Sequence, residues 1–411
     1  MTLADRFPLT VCVLTEEFYP VMAGVEVHIL TLADQLAERG LGVQIVTRRL
    51  EGSWARQAVV SGHPVHRLPP QGSGRLKKWM MVLPVLRWLM AHRGDCDVIY
   101  APHFRTLGLP AVIAGRLLRK PVVLMEAVHG EMSGEIFDQG LRSLRLGRSF
   151  GPLRMALGLR NRIIRRADAF VANSKEVAAE YRHQGVPPER IRHIPHGVDT
   201  GRFRPASAQD RARIRDRLGI APDAQVVTYV GRLVSYKGLP MLIDIWEKVI
   251  AERPQARLIL VGSGAEGTAY DCESTLRRTV AERGMQASVR FAGRVSRVED
   301  YLRASDVFAF PSIRDTFALA LIEAMSCGLP AVVVPRGGPG EIVTPDHDGL
   351  QASDPERFHR ALIRLLEDPD LAASLGQAAR RTVIERYARE REAAAYASLF
   401  SDLAAAGQET P

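Results

Sequence analysis

Short runs rich in Val and Ile alternate along this chain with longer stretches whose apolar residues recur every three or four positions. The runs read as strands at Thr10–Thr15, Val43–Thr47, Val98–Ala101, Pro121–Met125 and Ala169–Ala172. They resume at Gln225–Val230, Arg257–Val261, Val289–Phe291, Val307–Phe310 and Ala331–Val334. Near-continuous apolarity belongs to strands buried on both faces, and right-handed crossovers place helices above and below such a sheet. The pattern therefore predicts an α/β fold of two Rossmann-like, doubly wound parallel-sheet halves. Ile194-Pro-His-Gly-Val-Asp-Thr-Gly-Arg-Phe-Arg-Pro205 is dense in residues that break regular structure. Domains are expected at 1–195 and 206–384, with a C-terminal helix at about 385–405 crossing back to the first.

Composition narrows the class. With 411 residues, 46% hydrophobic and 25% charged, the chain has enough apolar surface for two cores and is neither a disordered tail nor a fibre. The longest apolar stretch, Trp79 to Met90, is interrupted by Pro84 and Arg87, short of the ~18 to 20 residues that span a bilayer. Four scattered cysteines give no disulfide framework or zinc site. The N-terminal segment lacks a signal-peptide pattern, so a cytoplasmic location is expected.

The net charge of +9 is unevenly placed: residues 1–200 hold 27 Lys/Arg against 18 Asp/Glu, and residues 201–411 hold 28 against 28. Leu141 to Ala167 carries eight arginines and no acid, and Arg75 to Pro84 is a second basic and apolar stretch. Such segments are either solvated helix faces or surfaces for anionic lipid at the inner face of the plasma membrane. Nucleic acid is the weaker partner, because few aromatics are available for base stacking.

Candidate chemistry lies in the loops after the strands, where doubly wound sheets bind ligands. Gly24 precedes a helix and lets backbone approach a phosphate, or is simply a turn. Arg232 and Lys237 in Gly231-Arg-Leu-Val-Ser-Tyr-Lys-Gly238 suit two cations aimed at one diphosphate, or two solvated charges. After Val307–Phe310, a helix beginning near Phe317 would offer the amides of Phe317, Ala318 and Leu319 to an anion. Asp315 and Glu323, eight residues and about 12 Å apart if helical, would grip the two ends of a nucleotide sugar; the plain alternative is an N-cap and a lone acid. His129 in Met125-Glu-Ala-Val-His-Gly130 is a structural histidine or a functional one. Asp95-Cys-Asp97 and Asp346-His-Asp348 read as turns, and no metal is required beside two cations and a helix dipole.

Together, GRLVSYKG, the Asp315-x7-Glu323 pattern running into EAMSCGLPAVVV, the AGVEVHILTLADQLAERG opening, NSKE and IPHGVDTGRFRP resemble glycosyltransferase family 4 over nearly the whole chain. The resemblance implies a GT-B fold with a cleft between its halves, a retaining transferase, and a nucleoside-diphosphate sugar donor, UDP before GDP. It further implies that Arg232, Lys237 and Gly24 contact the diphosphate, Glu323 the ribose and Asp315 the sugar. The backbone of Gly293, Arg294 and Val295 would cradle the base, and His129 would stand at the anomeric centre. Acceptors of this resemblance are glycan, lipid-linked or small-molecule hydroxyls; no metal or other cofactor is implied. Three positions depart from the family pattern: Asp315 for Glu, Ala318 for Gly, and Ala23-Gly24 for Gly-Gly. Two other classes remain open, a nucleotide-sugar epimerase of the same fold and a degenerate sugar-nucleotide-binding protein.

Overall fold

The computed structural model describes residues 7–408 apart from 22–23, 73, 127–129, 135–150 and 266. The chain divides into two units, Met1–Pro195 with Glu390–Pro411, and His196–Arg389.

Unit 1 holds β1 (Leu9–Leu14), β2 (Leu41–Arg48), β3 (Gln57–Val60), β4 (His63–Leu68), β5 (Val98–Ala101), β6 (Val122–Met125), β7 (Ala169–Ala172) and β8 (Ile191–His193). They form one sheet in the order β3-β4-β2-β1-β5-β6-β7-β8, parallel except for the β3–β4 pair. That pair is a two-residue hairpin across Ser61 and Gly62, both at positive φ (49° and 85°), the turn that matches strand twist. The continuous-run criterion misses β3 and β4 because their apolar runs are short, and burial alternates along both; in β4 the buried positions are His63, Val65 and Arg67.

Strand alternation sorts the unit 1 core into two layers. Cys12, Leu14, Ile99, Ala101, Val122 and Leu124 face α3 (Val82–Ala91), α4 (Phe104–Leu118), α5 (Gly151–Ile164) and α6 (Lys175–His183), with α2 (Arg75–Met80) running into α3. Val11, Val13, Tyr100, Val123 and Met125 face the opposite way, onto α1 (Gly24–Glu38) and the last helix, Arg389–Gln408. The last helix is anchored there by Tyr396, whose hydroxyl meets that of Tyr100 at 2.9 Å. The buried Phe400 lies beside it, and His28 Nε2 of α1 stands 3.2 Å from Glu392. Burying each such aromatic side chain is worth about 1.5–3 kcal/mol.

Unit 2 holds β9 (Gln225–Val230), β10 (Ala256–Val261), β11 (Val289–Gly293), β12 (Val307–Phe310), β13 (Ala331–Val333) and β14 (Leu350–Gln351). The sheet is parallel throughout, in the order β11-β10-β9-β12-β13-β14. The chain builds outward from β9 to β11, then returns to β9's other side with β12. Strand order therefore reverses at β9, and the loops leaving β9, β10 and β12 diverge around its carboxyl end, where such sheets bind ligands. Tyr229, Trp246, Phe308 and Phe358 fill the core.

The helix Leu319–Ser326 of unit 2 ends at the left-handed Gly328 (φ 78°), whose carbonyl oxygen lies against Gly376 in the helix Pro369–Arg386. A Cβ at Gly376 would fall on that oxygen. Alanine is the better helix former by about 1 kcal/mol, yet overpacking against a backbone atom costs about 1–3 kcal/mol, so the clash decides the sign. Gly376→Ala is expected to lower the urea unfolding midpoint without changing the slope; a raised midpoint would show that the two helices separate freely.

Candidate functional site

Sequence and backbone together make the loop after β9. The chain leaves β9 at Gly231, makes a 3-10 turn over Ser235–Lys237, and enters the helix Leu239–Glu252 through Gly238. Gly238 has φ 74°, and a side chain there would strike the Pro311 carbonyl of the neighbouring loop, so only glycine fits. This close approach sets the β9 and β12 loops side by side, and Ile313 N–H donates to the Tyr236 carbonyl at 3.2 Å.

Two of the expected cations lie here, with unequal surroundings. Lys237 Nζ is 2.5 Å from Asp315 Oδ2, and the two side chains are only 14% and 13% exposed. Lys237 Nζ also stands 5.7 Å from the centre of the Phe310 ring. Arg232 is exposed and donates to the Tyr236 hydroxyl at 2.8 Å. Beneath them the buried Tyr229 hydroxyl donates to the Arg232 carbonyl at 3.0 Å. Burial raises that phenol well above its ordinary pKa, and Asp315 adds to the rise. The β10 and β11 loops are stitched to the same edge. Gly231 N–H donates to Val261 O at 2.9 Å, Leu233 N–H to Ser263 O at 2.8 Å, and Gly262 N–H to Gly293 O at 2.8 Å. Gly293 and Val295 are half-buried, and Arg294 between them is exposed.

The helix expected near Phe317 begins at Leu319, with Ala318 as its N-cap. Phe317 is drawn aside instead. Its ring packs edge-on against His196 and Tyr387, with centroids 5.2 and 5.9 Å away. The first amides of the helix are therefore those of Leu319 and Ala320, while Leu321 N–H and Ile322 N–H are taken by Ala318 O. The eight-residue helical spacing between Asp315 and Glu323 does not hold, because their first four residues are outside the helix. Ala318 has φ −105° and is buried, so glycine is not demanded there. Burial pushes the half-buried Glu323 carboxyl up to about 7; Arg202 opposes the rise and Glu299 adds to it.

The other candidates are scattered. Gly24 opens α1 in unit 1, is exposed, and has no described atom within 4 Å of where a Cβ would stand. His129 lies outside the described residues, as do Arg142, Arg145 and Arg148 of the basic segment. Both Asp-x-Asp strings have structural tasks. Asp97 accepts Thr10 N–H at 2.9 Å, and the buried Asp348 accepts Thr344 N–H at 2.6 Å and the Thr382 hydroxyl at 2.8 Å. Of the arginines in the 141–167 segment, Arg160 is buried and donates to the Glu131 carbonyl at 3.0 Å.

Sequence reading missed a buried acid network in unit 1, at the carboxyl ends of β5 and β6. Glu126 is wholly buried; its Oε1 accepts Glu131 N–H at 2.6 Å, and its Oε2 has no partner among the described residues. Glu180 accepts Gly130 N–H and Ser133 N–H at 2.9 and 2.8 Å. Burial, with the charges of Glu180 and Glu131, pushes the Glu126 carboxyl up to about 10. Burial lowers the nearby His103, but Glu131, 3.6 Å away, together with Glu16 and Glu26 outweighs it and raises the pKa. A glutamate after a strand reads as solvated, so no residue in the sequence signals this burial. Tyr236, the partner of Arg232, was equally invisible.

Comparison with known proteins places this geometry among relatives. Residues 22–202 match the family model described as Glycosyltransferase Family 4, and residues 210–382 the one described as Glycosyl transferases group 1. A D-inositol 3-phosphate glycosyltransferase of Acidothermus cellulolyticus is 31% identical over 372 residues, covering 86% of this chain and 80% of that protein. Among solved structures, the sucrose-phosphate synthase of Thermosynechococcus elongatus has a TM-score of 0.80 at 23% identity, over 97% of this chain and 100% of that one. HepE of Anabaena in complex with UDP-glucose has a TM-score of 0.75 at 21% identity, over 96% and 100%.

The Glu126 network has a pH signature. The carboxyl is protonated in the folded chain up to about 10 and ionises near 4.3 when unfolded. Its contribution to stability is therefore fully present below pH ~4 and is lost as pH rises toward 10. Glu126→Gln copies the neutral form. The variant is expected to match the parent near pH 4.5 and to exceed it by a margin that grows up to pH 9 in urea melts; a constant difference would contradict the buried neutral acid.

Proposed function

Because the chain belongs to glycosyltransferase family 4, we propose that it is a retaining, metal-independent enzyme taking a sugar from a nucleoside diphosphate, UDP before GDP. The receiving group is a hydroxyl of a glycan or lipid-linked acceptor at the cytoplasmic membrane surface. The chain is a glycosyltransferase of the GT-B type; donor, stereochemistry and acceptor are the added reading. One observation carries it: Lys237, Asp315 and Arg232 gather at the carboxyl end of β9, where the order of the unit 2 sheet reverses. A uridine nucleotide is placed first in keeping with the UDP-glucose complex of the HepE fold neighbour.

The chemistry follows from where charge grows. As the bond from the anomeric carbon to the β-phosphate oxygen stretches, negative charge collects on the leaving diphosphate. Lys237, Arg232 and the amides of Leu319 and Ala320 are donors fixed before that charge appears, and such preorganised donors are worth about 2.7–4 kcal/mol each. Asp315 holds the Lys237 ammonium against the sheet end and also offers a carboxylate to sugar hydroxyls. The acceptor oxygen bonds to the anomeric carbon on the face the diphosphate leaves, its proton passes to the departing phosphate oxygen, and the nucleoside diphosphate is released. Glu323, poised near neutrality, takes the ribose hydroxyls, and Gly293 to Val295 the base. Gly24 and His129 keep the roles that the resemblance implies.

Arg232→Ala and Lys237→Ala are each expected to lower turnover by about 100-fold or more; near-normal turnover in both would reject the site. The donor is read from a thermal-shift panel of nucleotides and nucleotide sugars, because a ligand bound only by the folded chain raises the midpoint. UDP-sugars are expected to give the largest shift. NMR of the product tests the stereochemistry, and an inverted anomeric centre would overturn retention.

A further inference from the structure

Helices α2 and α3 are nearly one rod. Met81 between them keeps right-handed helical angles, and Val85 N–H reaches its carbonyl at 3.0 Å. One side of the rod is core, built from Met81, Val85, Trp88 and Leu89. The other side is apolar as well. Leu76, Trp79, Met80, Leu83 and Met90 follow the helical repeat and stand 75%, 40%, 55%, 51% and 41% exposed. A helix on a soluble surface normally turns polar residues outward, and a contiguous exposed apolar stripe marks an interaction surface.

Charge identifies the partner. From Gly52 to Gly94 the sequence has no Asp or Glu and seven Lys or Arg. Lys77 and Arg87 are exposed along the rod, and Arg93 is exposed just beyond its end. Lys78 is committed elsewhere, 2.7 Å from Glu16 and 3.3 Å from Glu17. An apolar ridge with a cationic margin and no acid is complementary to an anionic bilayer: the cations meet headgroups while the apolar side chains enter the boundary with the acyl chains. A tryptophan within the ridge suits that boundary. In the 141–167 segment Arg160 is buried and donates to the Glu131 carbonyl, so that arginine is not free to meet a headgroup.

We propose that α2 and the start of α3 dock this protein on anionic membrane, with Leu76, Trp79, Met80 and Leu83 entering the interface. The inference deepens the membrane-surface acceptor reading and rests on it only for its setting, because vesicle binding requires neither donor nor acceptor.

The test uses the full chain with vesicles of phosphatidylcholine alone, or with about a third phosphatidylglycerol to supply negative charge. Wild type is expected to sediment with the anionic vesicles and not the neutral ones, and Trp79 emission to shift blue, a shift absent from Trp79→Phe. Leu76→Ser with Leu83→Ser, and separately Lys77→Glu with Arg87→Glu, are each expected to weaken binding by at least about ten-fold, with circular dichroism melts unchanged. Failure of wild type to bind anionic vesicles, or undiminished binding by both variants, overturns the proposal. So does a wild-type dimer, seen by light scattering, that the leucine variant makes monomeric without any effect of vesicles. A protein that glycosylates a soluble acceptor yet ignores vesicles would sink this inference alone, whereas vesicle binding without UDP-sugar binding would sink the transferase donor reading alone.

Discussion

An ammonium and a carboxylate 2.5 Å apart, both nearly out of solvent, set the terms for the unit 2 site. Removing either partner would strand a charge in a poorly hydrated place, which is strongly unfavourable, whereas the intact pair roughly offsets its own desolvation. The pair is therefore better understood as a positioning device than as a source of stability. It joins the β9 loop to the β12 loop, and the remaining geometry follows: glycine alone at 238, Tyr236 beneath the Arg232 fork, and β10 and β11 loops laced to the same edge by backbone hydrogen bonds. A preorganised cation costs nothing further to arrange when charge develops beside it.

The two units solve the same packing problem with different margins. Unit 2 is wholly parallel, so its strands are clad on both faces and its polar chemistry is pushed to the carboxyl ends. Unit 1 adds an antiparallel hairpin at one edge, where alternating burial leaves one face of β3 to water. Both units bury charged groups: unit 2 buries Arg215, Asp300 and Asp348, and unit 1 a cluster of acids. Glu126, Glu131 and Glu180 are all buried, and they hold the backbone amides of Glu131, of Arg105, and of Gly130 with Ser133 respectively. These carboxylates serve as acceptors for backbone amides outside the sheet, satisfying buried donors that strand pairing does not reach.

How much was legible in the sequence follows from range. Runs such as Val98–Ala101 and Val307–Phe310 appear as strands with unchanged limits, because continuous apolarity is a local signal of two-sided burial. The strands β3, β4, β8 and β14 gave no such signal: the first two alternate, β8 is an exposed edge, and β14 is two residues long. The start of the helix bearing Glu323 was displaced by an aromatic contact from Phe317 to Tyr387, seventy residues downstream. The Lys237–Asp315 bond spans 78 residues. Motif spacing says that such groups belong to one site; it is silent on which of them touch.

The last helix has a consequence for synthesis. Tyr396 and Phe400 cover Tyr100 and its layer of the unit 1 sheet, yet they emerge from the ribosome only after all of His196–Arg389. At about 5–20 residues per second the nascent first unit waits on the order of 10 to 40 s with part of an apolar sheet face, the part α1 does not cover, bare. Unit 2, contiguous in sequence, can fold during that interval. The order of completion is thus the reverse of the order of initiation, and the interval in which that face is open to chaperones or to misassociation is written into the chain's connectivity.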